Sequence, residues 1–328
     1  MSHEMLVLSA REIEDLLDLE GVHASQMRAF ERLGTGEACM APKVSVPGAD
    51  GASLLTYTAR SAQEAPGVVK VIGFHPGNPQ QGLDPVQGAV LVLDGAIGRP
   101  IALLDGPALT TPRTAAGSAV ATDLLARRDA AVLTVVGTGV QAWAHLRALT
   151  RVRSFTTVHV VGRRAEAAEE LAARARDELG LAAEASTDLA AVAPESDVVA
   201  LCTTSTTPLL DAGPVRPGAL VVSVGSFAPD RSEVAPDLVG RADLVVVDDV
   251  DTACAQAGSI IDAVDAGAVD AADLVPLGRV ACGAHPGRAG EDDVVFYNSV
   301  GVAAQDATVA EEVLRRAREA GVGTTVEL

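Results

Sequence analysis

The spacing of apolar residues changes character along the chain. From Ser9, the residues Ile13, Leu16 and Leu17 recur at helical intervals, and Ser9 with Glu12 has the spacing of a capping box. Between residues 43 and 105 the pattern shortens into β-rich runs at 54–58, 68–74, 89–93 and 101–104. The segments PGADG, PGNPQQG, DGAIG and DGP flank or separate these runs, which predicts an antiparallel meander. Residues 114–125 are alanine-rich and predict a helix. From Ala131 onward the runs AVLTVV, TTVHVV, SDVVALCTT, ALVVSVG and ADLVVVDD are apolar on both faces, with amphipathic stretches such as 165–179 between them. Such runs predict a parallel sheet covered on both sides. Residues 303–320 form one more helical pattern, with Glu and Arg at i to i+4 spacing, expected to pack back on the N-terminal part.

The expected fold class is therefore α/β. A doubly wound Rossmann domain is placed at 117–300, and a discontinuous α+β domain at 1–116 plus 301–328.

Composition narrows the function classes. The chain has 328 residues, 25 basic and 44 acidic side chains, and a formal net charge of -19. An acidic chain with no basic run argues against nucleic acid or an anionic membrane as partner. No apolar stretch is long enough to span a bilayer, and the N-terminus does not resemble a secretory signal, so a cytoplasmic protein is expected. Cys39, Cys202, Cys254 and Cys282 show no CxxC pairing, so neither a metal site nor a disulfide framework is expected. Lys43 and Lys70 are the only lysines; arginine serves everywhere else. That bias makes each lysine worth a separate question.

Gly137-Thr138-Gly139-Val140-Gln141-Ala142 has the GxGxxA form after a buried strand and ahead of a helix. The first glycine permits a tight turn, the second lets the backbone approach a pyrophosphate, and the helix start offers free N–H groups to the phosphates. The second strand of an NAD site usually ends in Asp or Glu, which accepts from the ribose hydroxyl. Here it runs into Gly162-Arg163-Arg164, with no carboxylate before Glu166. Two guanidiniums at that place favour NADP, with NAD possible; the alternative is a pair of solvated loop charges. Thr203, Thr204 and Ser205, ending the fourth strand, fall at the usual edge of a nicotinamide ribose.

In the first domain, Lys70 shares a strand face with Val68 and Ile72, opposite Val69 and Val71. A lysine on such a strand must pair, lose its charge or snorkel to the surface. Arg113 stands at the entry to the helix that leads into the nucleotide domain. Together the two cations would make a clamp for a substrate carboxylate.

With these residues in view, the chain resembles the ornithine cyclodeaminase and mu-crystallin family. The matching segments are Lys70, Pro76-Gly77-Asn78-Pro79 with Gly82-Leu83, Ala102 through Gly106, Leu109-Thr110 and Arg113 through Ala116. The Gly137–Gln141 loop, Val224-Gly225-Ser226, and Asn298 through Gly301 and on to Asp306 complete the pattern. The resemblance covers essentially the whole chain. It implies a homodimer built through the first domain, NAD(P) in the second, and an amino or imino acid between them. It also implies carboxylate-holding roles for Lys70 and Arg113, and for Lys43 where the family usually has arginine. Tyr57, Phe227 and Gly301 would line the substrate pocket, while Thr114, Val224 and Ser226 would line the cofactor site.

Departures from the family pattern shape the expected chemistry. Cyclodeaminases resemble one another in an aspartate where this chain has Phe227, and in a threonine where it has Pro85. The run Pro229-Asp230 to Glu233 is similar to the reductase branch. Ornithine cyclisation would lack its acid/base group, whereas reduction of a preformed imine needs a held carboxylate, a hydride donor and a proton source. That source is Lys70, His75 or a water. The expected function is an NADPH-dependent reductase of a small α-imino acid, cyclic or open-chain, giving an L-amino acid. The alternatives are a cyclodeaminase-type lyase with bound NAD and a non-catalytic NADPH-binding protein.

Overall fold

The computed structural model describes residues 4–327. In chain order its elements are β1 (Glu4–Leu8), α1 (Ala10–Leu16), α2 (Leu19–Thr35), β2 (Cys39–Met40), β3 (Val44–Pro47), β4 (Ser53–Arg60), β5 (Gly67–Phe74), β6 (Val86–Leu93), β7 (Pro100–Asp105) and α3 (Gly106–Leu125). There follow β8 (Val132–Val136), α4 (Val140–Val152), β9 (Thr157–Val161), α5 (Ala165–Leu179), β10 (Ala183–Ser186), α6 (Leu189–Val192), β11 (Val198–Leu201) and β12 (Leu220–Ser223). The chain continues through α7 (Pro236–Arg241), β13 (Leu244–Val247), α8 (Val250–Gln256), α9 (Gly258–Asp265), β14 (Val275–Pro276), α10 (Leu277–Ala281), β15 (Val295–Asn298), α11 (Ala303–Ala320) and β16 (Thr324–Glu327). Two compact units result, one from Met1–Arg113 with Val302–Leu328 and the other from Thr114–Gly301. Among the described residues no helix is long and apolar enough to cross a membrane.

In the first unit the strands run in the order β16-β1-β7-β6-β5-β4-β2, with β3 on β4; all pairs are antiparallel except β1 with β7. One face of this sheet carries Val68, Lys70 and Ile72, all buried, and α11 packs across β4 and β5. The other face is apolar but bare. Val46 pairs with Leu54, and Thr56 with both Val44 and Val71, so strand alternation puts Val44, Val46, Leu54 and Val71 together, all exposed. The capping box at Ser9 forms, with the Ser9 N–H donating to Glu12 at 2.8 Å.

The expected helix at 114–125 begins eight residues earlier, at Gly106. The segment Asp105-Gly106-Pro107, expected as a break, is a helix start instead: the Ala108 N–H donates to Asp105 Oδ1 at 2.8 Å. Pro107 sits in the first turn, where an N–H has no helical partner to lose. Pro112 then costs one interior hydrogen bond, in a helix that buries the apolar Leu109, Ala115 and Ala116.

In the second unit all strand pairs are parallel, in the order β10-β9-β8-β11-β12-β15-β13-β14. Chain direction across the sheet reverses between β8 and β11, which makes the end of β8 a topological switch point. The strands are buried on both faces: Leu133, Val135, Val158, Val160, Val199, Leu201, Val221 and Phe296 are all inaccessible or nearly so. Strand β15 inserts between β12 and β13 and brings its C-terminal end, Asn298, beside Ser223 and Val247.

Candidate functional site

In the first unit, Tyr57 on β4 pairs in register with Lys70 on β5, and both lie on the face that α11 covers. The Lys70 ammonium stands 4.2 Å from the Tyr57 ring centroid, and the Lys43 ammonium 5.8 Å from it on the approach to β3. Lys70 is 1% exposed and Arg113 4%. Burying two cations so close together costs several kcal/mol per ion unless an anion joins them. That anion is Asp306 in the first turn of α11, itself 1% exposed: its Oδ2 is 2.7 Å from Lys70 Nζ and its Oδ1 3.0 Å from Arg113 Nε. Gln305 Oε1 lies 3.5 Å from Arg113 Nη1 and accepts from the Val302 N–H at 3.0 Å.

Burial drives the Lys70 ammonium down to about 8, helped by Arg113 and opposed by Asp306. Burial alone takes Lys43 to about 8, and it pushes the Tyr57 hydroxyl up to about 12. The structure thus brings Lys43, Tyr57, Lys70 and Arg113 together, and cations outnumber carboxylates there even with Asp306 included. Asp306 was not expected as a partner of the two cations. Its signal in the sequence is a lone carboxylate among Ala303, Ala304, Ala307 and Val309, on a helix face that is buried.

His75 does not join this cluster. Its ring comes 3.8 Å from the point where a side chain at Gly73 would begin, on the face opposite Lys70, and its backbone N–H closes a turn onto the Pro85 carbonyl at 2.8 Å. It is exposed, and its backbone closes the turn that follows β5.

In the second unit the glycine loop has the form a dinucleotide needs. Gly137 has φ +117°, and a Cβ there would meet the Cys202 carbonyl at 2.5 Å. Beside Gly139 nothing lies within 4 Å of where a Cβ would stand. No side chain caps α4, Thr138, Gly139 and Val140 are exposed, and Gln141 Oε1 is buried without a partner. Uncapped N–H groups beside open space at a switch point are chemically suited to a pyrophosphate. Arg163 and Arg164 are exposed at the end of β9, and the nearest following acid, Glu166, is already in the first turn of α5. Among the described residues no group of three His, Cys, Asp or Glu is placed to hold a metal ion.

Several residues expected at the cofactor site also make internal hydrogen bonds. The Thr203 N–H and hydroxyl both donate to Glu233 Oε1 at 2.7 Å, and the Ser205 hydroxyl donates to the Thr207 carbonyl at 2.6 Å. Ser226 is fully buried, its hydroxyl engaged with Ser223, Ser259 and the Glu233 N–H. Among these, Thr204 is the exposed member, while Val224 and Thr114 are buried. Glu233 also takes the Gly225 N–H at 2.7 Å and the Ser223 hydroxyl at 2.8 Å, so one carboxylate ties the ends of β11 and β12 together. Burial raises its pKa, against the pull of these hydrogen bonds. Asp248 does the same for the end of β15, accepting from the Tyr297 hydroxyl, the Ser299 hydroxyl and the N–H groups of Val300 and Gly301 at 2.9 and 2.8 Å. Gly301 therefore meets Asp248 through its backbone, and half-buried Phe227 lies under the Arg231 guanidinium, 5.0 Å from ring centroid to its carbon.

The model of the ornithine cyclodeaminase/mu-crystallin family matches residues 3–321. The chain belongs to that family. An iminosuccinate reductase from Paracoccus denitrificans is 32% identical over 327 residues, covering 99% of this chain and all of the relative. The solved structure of a Thermococcus litoralis Delta(1)-pyrroline-2-carboxylate reductase, in complex with NADH and L-proline, superposes with a TM-score of 0.94 at 30% identity, covering 98% of this chain and 100% of that one. A dimeric archaeal alanine dehydrogenase with bound NAD gives a TM-score of 0.92 at 29% identity, covering 99% of each chain. These family members share both units with the present chain.

Proposed function

We propose that the protein is an NAD(P)H-dependent reductase of a small α-imino acid, yielding an L-amino acid. The observation that carries this reading is the buried pair of cations, Lys70 and Arg113, gathered on one carboxylate in a chain whose relatives include imino-acid reductases and an alanine dehydrogenase. The Gly137–Gln141 loop would hold a reduced nicotinamide nucleotide, which would supply hydride chemistry for the carbon–nitrogen double bond. The terminal nitrogens of Arg113 hold the substrate carboxylate, since its Nε is engaged by Asp306. Tyr57 walls the pocket and stays a neutral phenol throughout the physiological range. Phe227, in place of an acid, offers no group to handle a second amine, which disfavours the cyclodeaminase reading.

The test is a turnover screen with cyclic and open-chain imino acids. NADPH should be consumed in proportion to amino acid formed, and ornithine should release no ammonia. Steady ammonia release from ornithine without net change in cofactor would reverse the assignment to a lyase.

Two finer points belong to this reading. NADPH is the preferred cofactor, because two exposed arginines and no acid follow β9, although the relatives described above hold NADH or NAD. The working form is a homodimer, because the sheet of the first unit leaves Val44, Val46, Leu54 and Val71 bare, and one relative is a dimer.

A further inference from the structure

Two cations that face one substrate carboxylate need not do the same task, and the geometry here separates Lys70 from Arg113. Arg113 meets Asp306 through Nε at 3.0 Å and Gln305 Oε1 through Nη1 at 3.5 Å, which leaves Nη2 and the second N–H of Nη1 for a further carboxylate. Lys70 is a point charge with its close anion already in place at 2.7 Å and an aromatic face on another side at 4.2 Å. A substrate carboxylate brought onto Lys70 would also be brought against Asp306, and like charges that close repel strongly where little water screens them.

We propose that Asp306 is a positioning residue that divides the two buried cations by task, holding Lys70 as the donor of the proton taken up by the imine nitrogen and leaving Arg113 to bind the substrate carboxylate. The inference rests on the imino-acid reductase reading. In the step, the π bond of C=N breaks as its carbon gains hydride from the reduced nicotinamide, which is oxidised. The freed electron pair on nitrogen takes a proton from the Lys70 ammonium, leaving a neutral amine that solvent reprotonates. The charged and titratable groups around Lys70 are Asp306 on α11, Arg113 on α3, Tyr57 on β4 and Lys43 before β3. Of these Asp306 is the anion, and it keeps the ammonium charged in a site whose burial and neighbouring cations favour the amine. A donor drawn down to about 8 is well matched to proton transfer near neutral pH.

The experiment compares the pH dependence of kcat for the full-length wild type and Asp306→Asn, with NADPH binding followed by its fluorescence. The expected result is an alkaline limb of kcat shifted to lower pH by about 1 pH unit or more in Asp306→Asn, because the ammonium has lost its anion. NADPH binding should be unchanged. An alkaline limb at the wild-type pH, with only KM raised, would overturn the inference while leaving the reductase reading intact. Absence of imino-acid turnover in the wild type would overturn both. Should Asp306→Asn fail to fold, Lys70→Arg decides, since it keeps the charge but holds its proton far more tightly. It should lose at least ~100-fold in kcat with KM within about threefold of wild type; near-normal kcat would contradict the proposal.

Discussion

Under the proposed function, the two units would hold their charged ligands in opposite ways. The first uses side-chain charges, Lys70 and Arg113, buried on an antiparallel sheet and kept in place by a third charge, Asp306. The second uses backbone: a left-handed glycine, an uncapped helix start, and strand ends fixed by Glu233 and Asp248, whose carboxylates accept from N–H and hydroxyl groups. A phosphate chain is recognised wherever a helix start and a close backbone are available. A small carboxylate needs specific directional charge, and the buried cations Lys70 and Arg113 of the first unit are of that kind. The sheets differ likewise, one bare on a face and the other covered on both.

Breaking the first unit should cost most. Arg113→Ala is expected to lower kcat/KM for an imino acid by at least ~100-fold, about 2.7 kcal/mol of transition-state binding, with NADPH affinity nearly unchanged. Equal loss of cofactor affinity would show that the two units do not divide the work. A smaller effect is expected in the second unit: Arg163→Ala combined with Arg164→Ala should weaken NADPH about tenfold or more and leave NADH within about twofold. Parallel losses for both nucleotides would mean that these arginines do not read a 2′-phosphate. The mildest change concerns the bare face. Leu54→Lys with Val71→Lys should halve the mass seen by sedimentation and leave NADPH binding in place; an unchanged mass would remove this face from the dimer.

Much of the second unit was legible because parallel-sheet strands are continuous apolar runs and the Gly137 loop has a fixed spacing. The helix 165–179 coincides with α5 for the same reason. What escaped was short or polar: β1 with five residues, β10 reading Ala-Glu-Ala-Ser, and β16 reading Thr-Thr-Val-Glu carry too little pattern to announce themselves. Lys70 could be recognised from its neighbours on one strand, and its burial follows from local alternation. Its partner could not, because Asp306 lies 236 residues away and only the packing of α11 on β5 joins them. The same limit applies to Thr203 and Ser226. Their hydroxyls meet Glu233 and Ser259, which only the packing of the chain brings near.

The central claim is hydride reduction of an imino acid, and isotope transfer tests it most directly. With NADPH deuterated at C4 on the transferring face and Δ1-pyrroline-2-carboxylate or an open-chain α-imino acid as substrate, the α-carbon of the L-amino acid product should carry one deuterium per nucleotide oxidised. Product formed with the label still on the nucleotide, or ammonia released while the nucleotide returns unchanged, would contradict it.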